Sequence, residues 1–180
     1  MKIGLVGFPG SGKTTVFNTM TGLDAPVGFG GEMRLGTVRV PDDRIDKLSA
    51  GVYELGSIFK TVTVALALDS GKATVEKIYD VRAPLRIGPY TIRDLHPQAR
   101  PLTVREIFVH SSNVGAGLLA LEAGGAAQIA FLQKLGLLEA MRTEAGPVAA
   151  PKLPKRWGQT ETITISYGHG LAVAPIQFAA

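Results

Sequence analysis

Three short stretches of this chain hold side chains that can do chemistry. Ser57-Ile58-Phe59-Lys60 spaces a hydroxyl and an amine three residues apart. On a helix, positions i and i+3 share a face, so the lysine lies beside the serine. A lysine so placed acts as a base only where burial and neighbours depress its pKa. Ser111-Ser112-Asn113 is a second polar cluster, closing a short helical pattern. The third stretch, "GFPGSGKT" over residues 7 to 14, satisfies G-x-x-x-x-G-K-[ST] with a strand pattern before it and a helical one after it. Glycines there let backbone N–H groups turn inward around phosphate oxygens, and the helix N-terminus adds partial positive charge. The nucleotide-binding set in that reading is Gly7, Gly10, Ser11, Gly12, Lys13, Thr14 and Thr15. Lys13 reaches the β- and γ-phosphates and Thr14 holds Mg²⁺, with GTP or ATP as ligand.

The elements that must position these groups follow from local pattern. Lys2 to Val6 is a short apolar β run leading into the glycine turn, and Lys13 to Thr21 has helical character that Gly22 stops. Residues 23 to 33 are a loop. "RLGTVRV" alternates like a strand, and "DDRIDKLSA" starts a helix with acids in its first turn. From Ser57 to Leu68 the chain reads as a largely buried helix closed by "DSGK". "IYDV" and "YTIRD" are strand-like. Thr103 with Glu106 forms a capping box opening another helix. Val114 to Ala123 and Ala127 to Leu135 read as two helices parted by Gly124-Gly125. "GPVAAPKLPKRWG" is a loop, "ETITISYG" a strand or turn, and "LAVAPIQFAA" an apolar helix.

Bulk properties narrow the function classes. The chain of 180 residues is 46% hydrophobic and 19% charged, enough for one core or two small ones. With no cysteine, disulfides, thiolate catalysis and Cys-based metal sites are excluded. His96, His110 and His169 are too scattered to suggest a zinc site. The net charge of +4 is spread out, and its densest group, Lys152, Lys155 and Arg156, lies in a proline-rich loop without aromatic platforms, so no nucleic-acid partner is expected. No run approaches the ~20 apolar residues needed to span a membrane. Without a signal peptide in the residues as written, the chain reads as cytoplasmic.

Two resemblances follow from longer stretches. "MKIGLVGFPGSGKTTVFNTMTG" followed by "LGTVRVPDDRIDKLSA" resembles the start of Obg-related P-loop GTPases, and this covers residues 1 to about 50. The D-x-x-G and N-K-x-D elements such a GTPase uses do not occur in residues 51 to 180. "YELGSIFKTVTVALALDSGK", "IYDVRAPLRIGPYTIRD", "LTVREIFVHSSNVGAG" and "GHGLAVAPIQFAA" together resemble the transpeptidase domain of class B penicillin-binding proteins, over residues 51 to 180. That resemblance implies Ser57 as acylated nucleophile and Lys60 as its base or proton partner. It also implies Ser111 as proton relay to the leaving amine and Asn113 as donor to a substrate carbonyl, with the Ser57 backbone N–H supplying half of an oxyanion hole. Ser112, His110, Tyr167 and His169 read as scaffold. The implied partner is a D-Ala-D-Ala peptide or a β-lactam, and acyl transfer requires no cofactor.

Two departures from the transpeptidase pattern stand out. Leu55 occupies the place before Gly-Ser where the family usually has proline, which is expected to loosen the turn feeding the nucleophile helix. The family's K-[ST]-G element does not occur in these residues. The expectation is therefore an α/β to α+β chain with two segments. Residues 1–50 form a partial P-loop GTPase segment with a β-P-loop-α-β start, and residues 51–180 form a helix-rich partial transpeptidase domain. The function expected is that of a penicillin-binding, peptidoglycan D,D-transpeptidase-like serine acyltransferase fragment. The alternatives are a GTP- or ATP-binding protein and a non-functional hybrid scaffold. The transpeptidase family acts outside the cytoplasmic membrane, in conflict with the cytoplasmic reading.

Overall fold

The computed structural model describes residues 13–26, 36, 43–143 and 146–180. The strand pattern at Lys2 to Val6, the cradle from Gly7 to Gly12, and "RLGTVRV" apart from Gly36 lie outside the described residues. Helix α1 (Lys13–Thr21) ends as its sequence predicts: Gly22 takes a φ of +69° and its N–H donates to the Asn18 carbonyl at 2.8 Å. No residue of α1 is buried. Helix α2 (Asp43–Ala50) is tied to a distant loop, where the Ala149 N–H donates to the Ser49 carbonyl at 2.8 Å.

From residue 51 onward helices carry the fold and the strands are short clips. Strand β1 (Tyr53–Glu54) leads through a 3₁₀ turn (Gly56–Phe59) into α3 (Lys60–Asp69). Next come β2 (Ile78–Tyr79), β3 (Leu85–Ile87), β4 (Tyr90–Ile92), β5 (Leu102–Thr103) and α4 (Val104–Val109). The chain then forms α5 (Asn113–Ala123), α6 (Gly125–Lys134), β6 (Arg142–Thr143) and β7 (Gly146–Pro147). It closes with α7 (Gln159–Ser166), β8 (Ala172–Val173) and α8 (Pro175–Ala179). The pairs β1–β8, β2–β5, β3–β4 and β6–β7 are all antiparallel, with Tyr53 opposite Val173 and Ile78 opposite Thr103.

Helix α5 is the axis of this arrangement, packed between α3 and α7. Apart from Asn113 at its start and the exposed Glu122 near its end, its sequence is apolar, as suits a helix enclosed over most of its length. Val114, Gly115, Ala116, Gly117, Leu119 and Ala120 are buried. Small residues there permit close approach: a Cβ on Gly115 would fall 2.5 Å from Ile107, and one on Gly117 2.9 Å from Leu85. One apolar cluster joins Ala67, Leu102, Val104, Ile107, Val114 and Leu119; a second joins Phe59, Leu132, Leu137, Ile165, Leu171 and Val173. Each fully buried Leu, Ile or Phe in them contributes about 1.5–3 kcal/mol. Helices α5 and α6 meet at Gly124 with a bend of 94°, and among the described residues no single helix is long and apolar enough to cross a membrane.

The Thr103–Glu106 capping box is present, with Glu106 N–H donating to Thr103 Oγ1 at 3.2 Å and Thr103 N–H to Glu106 Oε2 at 2.9 Å. Two local expectations fail. "ETITISYG", expected as strand or turn, forms most of α7. Glu161 accepts the Gly158 N–H at 2.9 Å at the helix start, and burying Thr162, Ile163, Ile165 and Ser166 against α5 outweighs the β preference of Thr and Ile. "LAVAPIQFAA" is not one helix either. Ala172–Val173 pairs with β1, and the helix starts only at Pro175, whose fixed φ and missing N–H suit a first helical position.

Candidate active site

The turn before Ser57 is built by backbone constraints. Gly56 stands at φ +58°, a conformation open to glycine, and Leu55 at φ −78°, a value proline also adopts. At Leu55 the backbone holds the proline-compatible angle, and the leucine side chain packs against the second apolar cluster. Gly56 N–H donates to the Gly168 carbonyl at 3.1 Å. Gly168, at φ +87°, comes so close that a Cβ there would lie 2.0 Å from the Gly56 oxygen. Glu54 reinforces the contact by accepting the Gly170 N–H at 2.8 Å and facing His169 Nδ1 at 3.0 Å. Those two partners, the backbone N–H foremost, hold the Glu54 carboxyl below its usual pKa. His169 thus belongs to the scaffold, as does His110, which closes α4 with its N–H on the Glu106 carbonyl at 2.8 Å.

The 3₁₀ turn continues into α3, so Ser57 and Lys60 share a face as their spacing predicts. Ser57 is exposed, whereas Lys60 is 2% exposed. Lys60 Nζ lies 3.1 Å from Ser57 Oγ, 2.9 Å from Ser111 Oγ and 2.6 Å from the Ser111 carbonyl oxygen. Burial pushes the amine pKa down from its ordinary 10.5, with the Asp94 charge opposing. Ser111 takes φ +53°, which turns its hydroxyl and carbonyl toward the lysine. Ser112 is buried and caps α5, accepting the Gly115 N–H at 2.8 Å. Three of the four transpeptidase-type residues therefore meet. Asn113, the fourth, is half-buried at the start of α5, with Nδ2 donating to the Arg93 carbonyl at 3.3 Å. Its side chain borders an open cavity of about 490 Å³ lined also by Tyr90, Arg93, Thr160, Thr164 and Tyr167. Burial raises the Tyr167 pKa.

Sequence reasoning missed Asp94. Its carboxylate accepts from Ser112 Oγ at 2.7 Å and from the Val114 N–H at 2.9 Å. No local pattern reveals this, because the partners lie 18 and 20 residues away. Of the phosphate-cradle set, Gly7, Gly10, Ser11 and Gly12 lie outside the described residues, while Lys13, Thr14 and Thr15 open α1. Among the described residues no group of three or more His, Asp or Glu side chains could hold a metal ion.

An exposed hydroxyl at a helix start, beside a buried amine that also reaches a second hydroxyl, has the arrangement of a serine–lysine site. Residues 24–180 match the family described as penicillin binding protein transpeptidase domain. The chain is 38% identical over 138 residues to a probable peptidoglycan D,D-transpeptidase FtsI of Caulobacter vibrioides, covering 77% of this chain and 23% of that protein. Against the peptidoglycan D,D-transpeptidase FtsI of Escherichia coli K12 it is 32% identical over 130 residues, 71% of this chain and 22% of the relative. The apo transpeptidase domain of Burkholderia pseudomallei penicillin-binding protein 3 superposes with a TM-score of 0.70 at 30% identity, over 76% of this chain and 42% of that one. This chain belongs to the penicillin-binding protein transpeptidase family, with its helix-rich α/β fold, and spans about a quarter of the length of these curated relatives.

Proposed function

We propose that this chain carries the acylation machinery of a peptidoglycan D,D-transpeptidase, with Ser57 as nucleophile and Lys60 as its base. The observation that carries the reading is the buried Lys60 amine bridging the Ser57 and Ser111 hydroxyls. A neutral amine has two N–H bonds and one lone pair. Donating both hydrogens to the Ser111 carbonyl and hydroxyl leaves the lone pair for the Ser57 proton. Burial favours that neutral form.

In the acylation step Ser57 Oγ attacks the carbonyl carbon of a D-Ala-D-Ala amide or a β-lactam, and its proton passes to Lys60 Nζ. The C–N bond then breaks. Ser111 Oγ gives its proton to the departing nitrogen and is reprotonated by Lys60, leaving an ester on Ser57 and a neutral lysine. In this reading Asn113, which lines the open cavity and gives one amide hydrogen to the Arg93 carbonyl, donates the other to a substrate carbonyl. A fluorescent penicillin is expected to label the folded chain covalently, and Ser57→Ala to abolish the label. Absence of labelling on folded wild-type protein rejects the reading.

The phosphate-cradle motif supports a separate reading on sequence alone. In that reading the motif assigns Lys13, Thr14 and Thr15 to GTP or ATP, with Mg²⁺ on Thr14. The relatives named above are all transpeptidases or their domains, and the family match begins at residue 24, beyond the motif. Binding of GTP at millimolar concentration with Mg²⁺, lost in Lys13→Ala, would establish it; no binding under those conditions removes it.

A further inference from the structure

The loop that holds Ser111 is anchored from a direction the acyl-transfer mechanism does not use. Asp94 follows β4 and faces the first turn of α5. One carboxylate oxygen accepts a hydrogen bond from the Ser112 hydroxyl and the other accepts one from the Val114 N–H. Ser112 is thereby committed on both sides, donating to Asp94 and accepting from Gly115. Two of the unpaired amides of the α5 N-terminus are satisfied, and a negative charge lies where the helix favours it. The neighbouring Arg93 carbonyl holds Asn113, so residues 93 and 94 grip both residues that follow Ser111. On the other side, the Ser111 N–H donates to the Phe108 carbonyl and the Ser112 N–H to the Ile107 carbonyl. Between these anchors Ser111 is held in a left-handed conformation unfavourable for serine, the one that aims its hydroxyl and carbonyl at Lys60.

We propose that Asp94 is a positioning residue for acyl transfer: by clamping Ser112 and the first turn of α5, it holds Ser111 turned toward Lys60. The inference rests on the reading of Ser57 and Lys60 as the acylation pair. The charge on Asp94 is also the one that acts on the buried amine, favouring its protonated form against burial. Other ionisable groups on the elements around α3 are turned to partners of their own: Glu106 to Arg100, Arg105 to Glu76, Glu122 to Lys77 and Tyr79, and Glu161 to the Gly158 N–H. His110 and Tyr167 flank the site as further titratable groups, the first closing α4 and the second closing α7. Asp94 thus couples the geometry of the Ser111 loop to the proton balance of Lys60.

Three variants of the full chain test this. Asp94→Asn keeps the shape and removes the charge, Asp94→Ala removes the clamp, and Asp94→Glu restores a carboxylate. NMR of ε-¹³C-lysine protein, with the Lys60 signal identified by its loss in Lys60→Met, reads the amine titration without any activity. The Lys60 midpoint is expected at lower pH in Asp94→Asn than in wild type. The rising limb of penicillin acylation against pH should move the same way. Asp94→Ala is expected to slow acylation on the high-pH plateau on the order of 10- to 100-fold, with partial recovery in Asp94→Glu. An unmoved Lys60 midpoint in Asp94→Asn overturns the proposal, and so does a wild-type plateau rate in Asp94→Ala. If wild type takes no penicillin at Ser57, it is the acyl-transfer reading that fails, and the NMR midpoint still decides whether Asp94 governs Lys60.

Discussion

Lys13 and Lys60 each open a helix, yet the helices differ in how they are packed. Lys13 is half-buried on α1, a helix none of whose residues is buried. Lys60 is almost wholly enclosed and bonds to a loop 51 residues further along. A short motif supplies the right groups in the right local order in both places. At Lys60 the second part of a site is visible: distant segments desolvate the amine and offer acceptors for its hydrogens. The difference teaches that a motif is a proposal about geometry which the rest of the chain must complete.

The largest effect that tests this contrast is expected at Lys60 itself. Lys60→Met should cut the rate of penicillin acylation by roughly 10²- to 10⁴-fold, the usual range for a positioned base, while Lys13→Ala leaves it unchanged in a gel-labelling time course. Equal losses from the two substitutions would erase the distinction. Lys60 also predicts a pH dependence of stability. Its folded pKa lies below the ordinary 10.5, so in the window between those values the unfolded chain binds more protons and stability climbs as pH rises. Denaturant unfolding of Lys60→Met across that window should lack the climb.

The next effect is structural. Gly168→Ala forces a Cβ against the Gly56 backbone at a φ that alanine disfavours, and should cost about 2–4 kcal/mol in urea unfolding. A cost near zero would show that the turn preceding Ser57 does not depend on its partner segment. The smallest effect is expected at Leu55. Its φ already suits proline, so Leu55→Pro trades lost apolar packing against reduced freedom of the unfolded chain and should shift stability by less than about 1 kcal/mol. A large loss there would mean that the leucine side chain, more than the backbone angle, holds the turn.

Much of the site was legible where its information is local. The i, i+3 spacing of Ser57 and Lys60 and the Thr103–Glu106 box each act within one helical turn, and each was readable from neighbouring letters. Asp94, the Gly56–Gly168 contact and the helical state of residues 159–166 were not. Each depends on segments brought together from far along the chain: Asp94 on Ser112, Gly56 on a residue beyond α7, and α7 on the α5 surface it covers. Thr and Ile runs such as "TETITIS" favour strand locally, and only the enclosed face of α7 reverses that preference.

The near-contact of Gly56 and Gly168 has a consequence for variation. The two positions are not equivalent: a Cβ on Gly168 runs into the Gly56 backbone, whereas one on Gly56 meets nothing within 4 Å and is disfavoured only by its φ of +58°. In a substitution scan Gly168 should be the less tolerant of the two, because only there does steric conflict add to a left-handed backbone angle. Changing Gly168 therefore disturbs two turns at once, while changing Gly56 strains only its own.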